Sequence, residues 1–268
     1  MMKQQTLFQG KLTKQKDLFI PFIVAGDPHP DKTIQYALRL QEAGADVLEL
    51  GVPYSDPLAD GPVIQKAARR ALDAGMSLRK AVEMVPELRK AGLNIPVVIF
   101  TYYNPVLQYG HEAFIDALEE NGVEGLLIPD LPLEESEDLN ERTKEKDIEL
   151  ISLVAPTSEE RIKRIAEQAR GFLYCVSSLG VTGERKEMAP ETLSFIEKVK
   201  EHSSVPVAVG FGISSNDQVQ LMRKHADGFI IGSKIVKLIE SSLEVEKSGD
   251  EQEGLRHFSD EVNELVQA

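Results

Sequence analysis

The chain has 268 residues, of which 42% are hydrophobic and 28% charged, a composition typical of a globular protein with a sizeable buried core. Lysine and arginine number 30 against 44 aspartate and glutamate residues, so the formal net charge is -14. This balance argues against partners that need a basic face, namely nucleic acid and anionic membrane surfaces.

The amino-terminal segment and the lone cysteine bear on where the protein works. Residues 1–16 are polar and lack the apolar region of a signal peptide, and no apolar run approaches the roughly 20 residues of a membrane span. Cys175 lies inside an apolar run, where we interpret it as a small core residue rather than a nucleophile. We therefore expect a cytoplasmic protein.

Eight short apolar runs recur along the chain, each followed by a loop and then a helical pattern. They are continuous rather than alternating, as expected of parallel strands that are buried on both faces. The runs cover residues 18–24, 47–50, 97–102, 125–128, 149–154, 172–176, 205–209 and 228–231.

Helical patterns separate these runs. Residues 160–166 and 192–199 each place apolar side chains on one helix face, whereas the charged stretch 134–146 is predicted to be a solvated outer helix. The second unit is long enough for two helices, at about 61–74 and about 77–91. Helix ends are marked by glycines, namely Gly44, Gly92 and Gly122.

Eight βα units in about 250 residues predict an α/β fold, the (β/α)8 TIM barrel. A doubly wound open sheet is the alternative, but it usually has fewer strands and a glycine-rich first turn, and the chain lacks GxGxxG. Residues 2–15 lie before the first unit and are predicted to cap the barrel bottom. We find no domain boundary, so residues 1–268 are predicted to form a single TIM-barrel domain.

Residues 49–62 (ELGVPYSDPLADGP) stand out as a loop that is stiffened by prolines and carries carboxylates. Glu49 lies in the second apolar run, where a carboxylate is either paired by structural donors or kept protonated for acid/base chemistry. Asp60 precedes glycine, proline and a helical pattern, so on local grounds it is a helix N-cap.

Three glycine-containing loops follow the last three apolar runs. They are 177–183 (SSLGVTG), 210–215 (GFGISS) and 231–234 (IGSK), and the last of them opens a helical pattern. TIM barrels often bind phosphate with the loops at this position and with the amino terminus of a helix. Backbone amides would then let an acidic protein hold a phosphate.

The residue types of other barrel chemistries are missing from the strand ends. No apolar run contains the lysine of a Schiff-base aldolase. The histidines, which a metal-dependent aldolase or epimerase would use, fall in helical or loop stretches: His29, His111, His202, His225 and His257. The pattern favours acid/base chemistry on a phosphorylated ligand, without metal or cofactor.

Taken together, residues 22–28 (FIVAGDP), 49–62, 180–183 (GVTG), 210–214 (GFGIS) and 231–233 (IGS) resemble the tryptophan synthase alpha chain family. The resemblance implies retro-aldol cleavage of indole-3-glycerol phosphate to indole and D-glyceraldehyde 3-phosphate. It also implies that Glu49 protonates the indole carbon bearing the side chain and later takes a proton from the glycerol hydroxyl. Asp60 would accept from the indole N–H, and Tyr174 would supply a supporting hydroxyl.

The same resemblance assigns the remaining site residues. Thr182 and Gly183 match a mobile loop that closes over the substrate and meets Asp60. The phosphate-binding positions match Gly183, Gly212, Gly232 and Ser233. The apolar positions around the indole match Phe22, Phe100, Leu127 and Phe211. Two departures from the family are Lys234, next to the phosphate positions, and Pro129, next to the indole pocket, each where a small residue is common.

The resemblance further implies an α2β2 complex, in which indole passes to a beta chain that carries pyridoxal phosphate. Asp56, Pro57 and residues 102–104 match the docking side. Three alternatives remain open from the residues alone. One is another phosphate-binding barrel, such as a sugar-phosphate epimerase. The second is a stand-alone lyase that releases free indole. The third is a non-catalytic scaffold, against which the presence of both carboxylates speaks.

Overall fold

The computed structural model describes residues 8, 16–176, 190–210 and 212–267. Its framework is one sheet of nine strands, in which every pair of neighbours is parallel. The strands are β1 Leu18–Val24, β2 Leu48–Gly51, β3 Val97–Phe100, β4 Gly125–Leu127, β5 Glu149–Leu150, β6 Ser152–Val154, β7 Leu173–Val176, β8 Val207–Gly210 and β9 Gly228–Ile231.

The spatial order of the strands is β5-β4-β3-β2-β1-β9-β8-β7-β6. The two edge strands, β5 and β6, are consecutive in the chain and separated by Ile151 alone. The Ile151 N–H donates to the Leu126 carbonyl at 2.8 Å, which continues the ladder from β4. Residues 149–154 therefore form both edge strands and close the sheet. The predicted TIM barrel is confirmed. The predicted fifth strand, 149–154, is two short strands because its first half pairs with β4 and its second half with β7.

Eleven α-helices lie in the described residues, and in most units they follow the strands. They are α1 Pro30–Glu42, α2 Pro62–Asp73, α3 Leu78–Lys90, α4 Tyr103–Tyr109, α5 His111–Glu120, α6 Glu137–Glu145, α7 Glu159–Gln168, α8 Pro190–His202, α9 Asn216–His225, α10 Ser233–Ser248 and α11 Glu251–Val266. The two helices predicted after the second strand are confirmed as α2 and α3. A second pair, α4 and α5, was not predicted, and Gly110 separates its members at φ +87°. None of the described helices is long and apolar enough to cross a membrane.

Phe8 lies at the amino end of the barrel strands, where its ring stacks on Phe172 at 6.2 Å between centroids. It is 1% exposed and belongs to the cluster of side chains that fills the barrel interior, with Leu18, Val98, Ile151 and others. This position agrees with the predicted cap at the barrel bottom. The rest of the predicted cap, residues 2–7 and 9–15, lies outside the described residues.

Candidate active site

Glu49 projects into the barrel because the strand alternates. Leu48 and Leu50 face the outer apolar layer, so the side chain between them points to the other face of the sheet. In the parallel register Glu49 lies level with Phe22 of β1 and with Val98 of β3, a residue of the barrel interior. The sequence that forms a buried strand thus also delivers a carboxyl group into the core.

The Glu49 carboxyl group is buried in the barrel interior. The residue is 1% exposed, and its Oε1 has no hydrogen-bond partner among the described residues. Burial raises its pKa from 4.5 to about 8, because an isolated charge is poorly stabilised in an apolar interior. The group therefore holds its proton near neutral pH, as a general acid requires.

Asp60 lies at the end of the loop that follows β2, and it does not cap a helix. Helix α2 has Gly61 at its N-cap, with no side-chain capping bond. The expectation of a cap from local sequence is therefore wrong. The Tyr102 hydroxyl lies near the Asp60 carboxylate and accepts the Ala59 N–H at 3.0 Å, while the Gln65 side-chain amide donates to the Asp60 carbonyl at 2.7 Å.

The Glu49 and Asp60 carboxyl groups differ in their ionisation at neutral pH. Burial raises the pKa of Asp60 from 3.8 to about 6, and the hydrogen bond from Tyr102 opposes that rise. Asp60 is therefore mostly ionised at pH 7, whereas Glu49 is mostly protonated. The site thus contains one protonated and one ionised carboxyl group, which is the arrangement that divides roles between two such groups.

Tyr174 connects these two groups. Its pKa lies well above 10, raised first by burial and then by the charges of Glu49 and Asp60, which places its ring within electrostatic reach of both. Gly210 on β8 makes room for it, since a Cβ at that position would lie 2.6 Å from the Tyr174 hydroxyl oxygen. The predicted supporting hydroxyl thus lies within electrostatic reach of both predicted catalytic carboxyl groups.

Aromatic side chains form the apolar wall of the site. The rings of Phe22 and Phe100 meet edge to face at 5.4 Å between centroids. The Phe22 ring also fills the space that a side chain at Gly51 would occupy. Leu127 is fully buried in the interior cluster against which Phe100 and Tyr174 pack. The structure thus brings these predicted indole-lining residues together.

The predicted phosphate end lies at the start of α10. Gly232 is the N-cap and carries no side-chain capping bond, and Ser233 is the first helical residue. A Cβ on Gly232 would lie 3.7 Å from both Phe22 and Ile64, so this end adjoins the aromatic wall. Gly212 adopts φ +68°, which favours glycine, and Lys234 lies in the first turn of α10. The predicted residues Thr182, Gly183 and Phe211 lie outside the described residues.

A cavity of about 590 Å³ opens at the carboxyl ends of β4 and β6. Pro129, the departure noted in the sequence, lines it together with Leu153, Asp130 and Arg161. Leu153 is level with Tyr174 in the β6–β7 register, so both side chains face the same side of the sheet. The cavity therefore adjoins the site, and Leu153 is a lining residue that the sequence analysis missed.

The predicted docking side lies on the outside of the same loops. Leu58 is 77% exposed and Leu107 is 50% exposed, which is unusual for leucine. The Asn104 side-chain amide donates to the Tyr54 hydroxyl at 3.1 Å and joins the two loops. Tyr102, predicted on the docking side, is 2% exposed and turned inward to Asp60.

Three elements that position the site are joined by one ion-pair network. Asp27, in the loop after β1, accepts two hydrogen bonds from Arg70 of α2, at 2.7 and 3.0 Å. Arg70 also donates to Glu240 of α10 at 3.1 Å. Because α2 starts just after Asp60 and Gly232 is the N-cap of α10, the network links both ends of the site to the loop after β1.

Replacing Arg70 by methionine is expected to lower the free energy of unfolding by about 3 kcal/mol, since the Asp27 carboxylate, 1% exposed, loses its charged partner. Urea unfolding at pH 7 measures the loss. The double variant Asp27→Asn/Arg70→Met is the control and should recover part of the stability. A loss below about 1 kcal/mol for Arg70→Met would mean that solvent screens the pair.

The described residues contain no group of three or more histidine, cysteine, aspartate or glutamate side chains placed to hold a metal ion. Two carboxyl groups of the site, Glu49 and Asp60, have pKa values raised by burial. The geometry as a whole offers a proton donor, an anion, an apolar wall and a helix amino terminus.

Comparison with known proteins identifies relatives over nearly the whole chain. The sequence model of the family described as Tryptophan synthase alpha chain matches residues 8–266. The chain is 60% identical over 243 residues to the tryptophan synthase alpha chain of Geobacillus kaustophilus, with 90% of each chain covered. It is 57% identical over 254 residues to that of Shouchella clausii, with 94% of each covered.

Solved structures agree with the sequence relatives. A chain of the tryptophan synthase α2β2 complex from Pyrococcus furiosus matches with a TM-score of 0.84 and 36% identity, over 95% of this chain and 100% of that one. A chain of tryptophan synthase from Mycobacterium tuberculosis matches with a TM-score of 0.82 and 35% identity, over 97% and 95% of the two chains. The chain therefore belongs to the tryptophan synthase alpha chain family.

Proposed function

We propose that the chain is the alpha subunit of a tryptophan synthase. Its reaction is the retro-aldol cleavage of indole-3-glycerol phosphate to indole and D-glyceraldehyde 3-phosphate, without metal or cofactor in this chain. The observation that carries the proposal is the pairing of a buried, protonated Glu49 with an ionised Asp60 beside Tyr174. These groups supply an acid and an anion on one side of an apolar wall.

In the first step the protonated Glu49 carboxyl gives its proton to the indole carbon that bears the glycerol chain. The ring then carries a positive charge centred on its nitrogen. Asp60, ionised above a pKa of about 6, accepts a hydrogen bond from the ring N–H and stabilises that charge.

In the second step the bond between the ring carbon and the glycerol chain breaks, and its electron pair returns to the ring. Glu49, now a carboxylate, takes the proton of the hydroxyl on the carbon that becomes the aldehyde. Indole and glyceraldehyde 3-phosphate result, and Glu49 ends protonated as it began. A pKa of about 8 suits both roles, because the group exchanges its proton readily near neutral pH.

The same proposal assigns the binding residues. Phe22, Phe100 and Leu127 line the indole, and the amides at Gly212, Gly232 and Ser233 bind the phosphate with the help of the α10 dipole. Thr182, Gly183 and Phe211 complete the site by their sequence match. Residues 1–268 are then one TIM-barrel domain, in keeping with the single nine-stranded sheet.

The proposed partner is a beta chain that carries pyridoxal phosphate and uses the indole to make L-tryptophan, in an α2β2 complex. The Pyrococcus furiosus relative is described as part of such a complex with mutual activation. Leu58, in the loop that carries Asp56, and Leu107, in the helix that carries Asn104, are exposed apolar side chains that suit contact with such a partner. Both subunits would work in the cytoplasm.

The test of this function is indole release from indole-3-glycerol phosphate, with and without an added beta chain and serine. Tryptophan formation in the mixture and only weak indole release by the chain alone support the alpha-subunit role. Full indole release alone, unchanged by the beta chain, would support a stand-alone lyase. The absence of both products at any protein concentration would overturn the proposal.

A further inference from the structure

Two hydrogen bonds hold the main chain on either side of the Asp60 side chain. The Gln65 side-chain amide donates to the Asp60 carbonyl at 2.7 Å, and the Tyr102 hydroxyl accepts the Ala59 N–H at 3.0 Å. Gln65 lies in the first part of α2, whereas Tyr102 follows β3. The backbone that carries the Asp60 carboxylate is therefore tied to α2 through the Gln65 side chain.

This backbone lies outside regular secondary structure. Residues 52–61 form the connection between β2 and α2, and no helix or strand includes them. Gly61, the N-cap of α2, is extended at φ -77° and ψ 171°, and its carbonyl accepts the Gln65 N–H at 3.0 Å. The Asp60 carbonyl precedes that acceptor, so the side chain of Gln65 supplies it with a donor from the helix.

Helix α2 is a firm support for this contact. The face that it buries consists of Ile64, Ala67, Ala68 and Ala71. Further along the helix, Arg70 donates to the Asp27 carboxylate at 2.7 and 3.0 Å. An aspartate carboxylate is joined to its main chain by only two rotatable bonds, so a fixed Asp60 carbonyl narrows the positions that the carboxylate can take.

We propose that Gln65 is a positioning residue of the lyase site, whose side-chain amide holds the Asp60 backbone and so aims the Asp60 carboxylate at the substrate N–H. This inference rests on the proposed function for its substrate, whereas the hydrogen bond to the Asp60 carbonyl does not depend on any substrate. Gln65 acts through Asp60 and does not touch the substrate. Its contribution to kcat therefore disappears when Asp60 no longer carries a charge.

The variants Gln65→Met and Gln65→Glu test the proposal. Methionine keeps an unbranched side chain of similar length without the N–H donor, and an ionised glutamate offers only acceptor oxygens. The negative charge of glutamate also favours the first turn of a helix, so Gln65→Glu should keep α2 stable. Both variants are expected to lower kcat by about tenfold, the rate equivalent of one hydrogen bond. Inhibition by glycerol 3-phosphate, the phosphate half of the substrate, should be unchanged.

Gln41→Met is the matched control. The Gln41 side-chain amide also donates to a main-chain carbonyl, that of Gly92 at 3.2 Å, but it lies near the end of α1, at the amino end of the barrel strands. Its replacement should lower stability in urea and leave kcat unchanged. In an Asp60→Asn background, Gln65→Met should cause no further loss of kcat. A further tenfold loss in that background, or an equal loss in Gln41→Met, would overturn the inference.

An NMR measurement without substrate separates this inference from the proposed function. The peptide group between Asp60 and Gly61 is planar, so the Gly61 N–H moves with the Asp60 carbonyl. Its order parameter, from amide nitrogen relaxation, should fall from about 0.85 to below about 0.6 in Gln65→Met. The Ala59 N–H, which Tyr102 holds, is the internal reference and should not change.

The two outcomes have separate meanings. An unchanged order parameter of the Gly61 N–H in Gln65→Met would overturn the inference, because the backbone of Asp60 would then be fixed without Gln65. A wild-type protein without lyase activity would overturn the proposed function, whatever the relaxation measurement shows.

Discussion

Replacing Glu49 by glutamine is expected to lower kcat for indole release by about 10³-fold or more, because it removes the buried, protonated carboxyl group that gives its proton to the substrate. The amide is nearly the same size and shape, so the apolar wall should keep its form. Inhibition by glycerol 3-phosphate is expected to be unchanged. Steady-state kinetics with indole-3-glycerol phosphate and the beta chain measure the loss.

The same substitution is expected to stabilise the fold at alkaline pH. The folded pKa of Glu49 is about 8 and the unfolded value 4.5, so the unfolded chain releases its proton first as the pH rises. The stability of the wild type therefore falls between about 4.5 and 8, by an amount on the order of a few kcal/mol. Glutamine carries no charge and avoids this loss. Urea unfolding at pH 8.5 should show a more stable variant.

Glu149→Gln is the matched control for the expected changes in kcat and in stability of Glu49→Gln. Glu149 is also a buried strand carboxylate, 5% exposed, but it lies at the start of β5 and accepts from Arg170 at 2.8 Å. Its replacement should lower stability and leave kcat nearly unchanged. If Glu49→Gln behaves like Glu149→Gln, losing stability and keeping activity, Glu49 is a structural carboxylate.

Replacing Asp60 by asparagine is expected to lower kcat by about 10² to 10³-fold, since a neutral amide no longer stabilises the positive charge on the ring. The free energy of unfolding should change by less than about 1 kcal/mol, because Asp60 makes no capping bond to helix α2 and asparagine has nearly the same size and shape. Steady-state kinetics and urea unfolding at pH 7.5 measure the change in kcat and the change in the free energy of unfolding. A variant that mainly unfolds would show that Asp60 has a structural rather than a catalytic role.

The barrel could be predicted from the sequence because the patterns that indicate its strands and helices are local. Eight apolar runs at similar spacing predict parallel strands, and helix ends are marked by glycines such as Gly44 and Gly92. The division of residues 149–154 into two strands was not predictable in the same way. It depends on which neighbour each half pairs with, and that is decided by closure of the barrel.

The two carboxyl groups of the site differ in how far the sequence reveals them. Glu49 is visible because an acid within an apolar strand has a desolvation cost that needs an explanation. Asp60 is not visible on local grounds, because an aspartate before Gly61 and Pro62 has the same pattern as a helix cap. Its partner Tyr102 lies 42 residues away in the chain, so only the fold shows that the two meet.

The central claim is that Glu49 is a protonated acid in the folded protein at neutral pH. Carboxyl carbon NMR of the protein labelled at glutamate, compared with Glu49→Gln to identify the signal, measures its ionisation directly between pH 4 and pH 9.5. The structure predicts a titration midpoint near 8, raised by burial. A midpoint near the ordinary value of 4.5 would contradict the account, because Glu49 would then be a carboxylate with no proton to give.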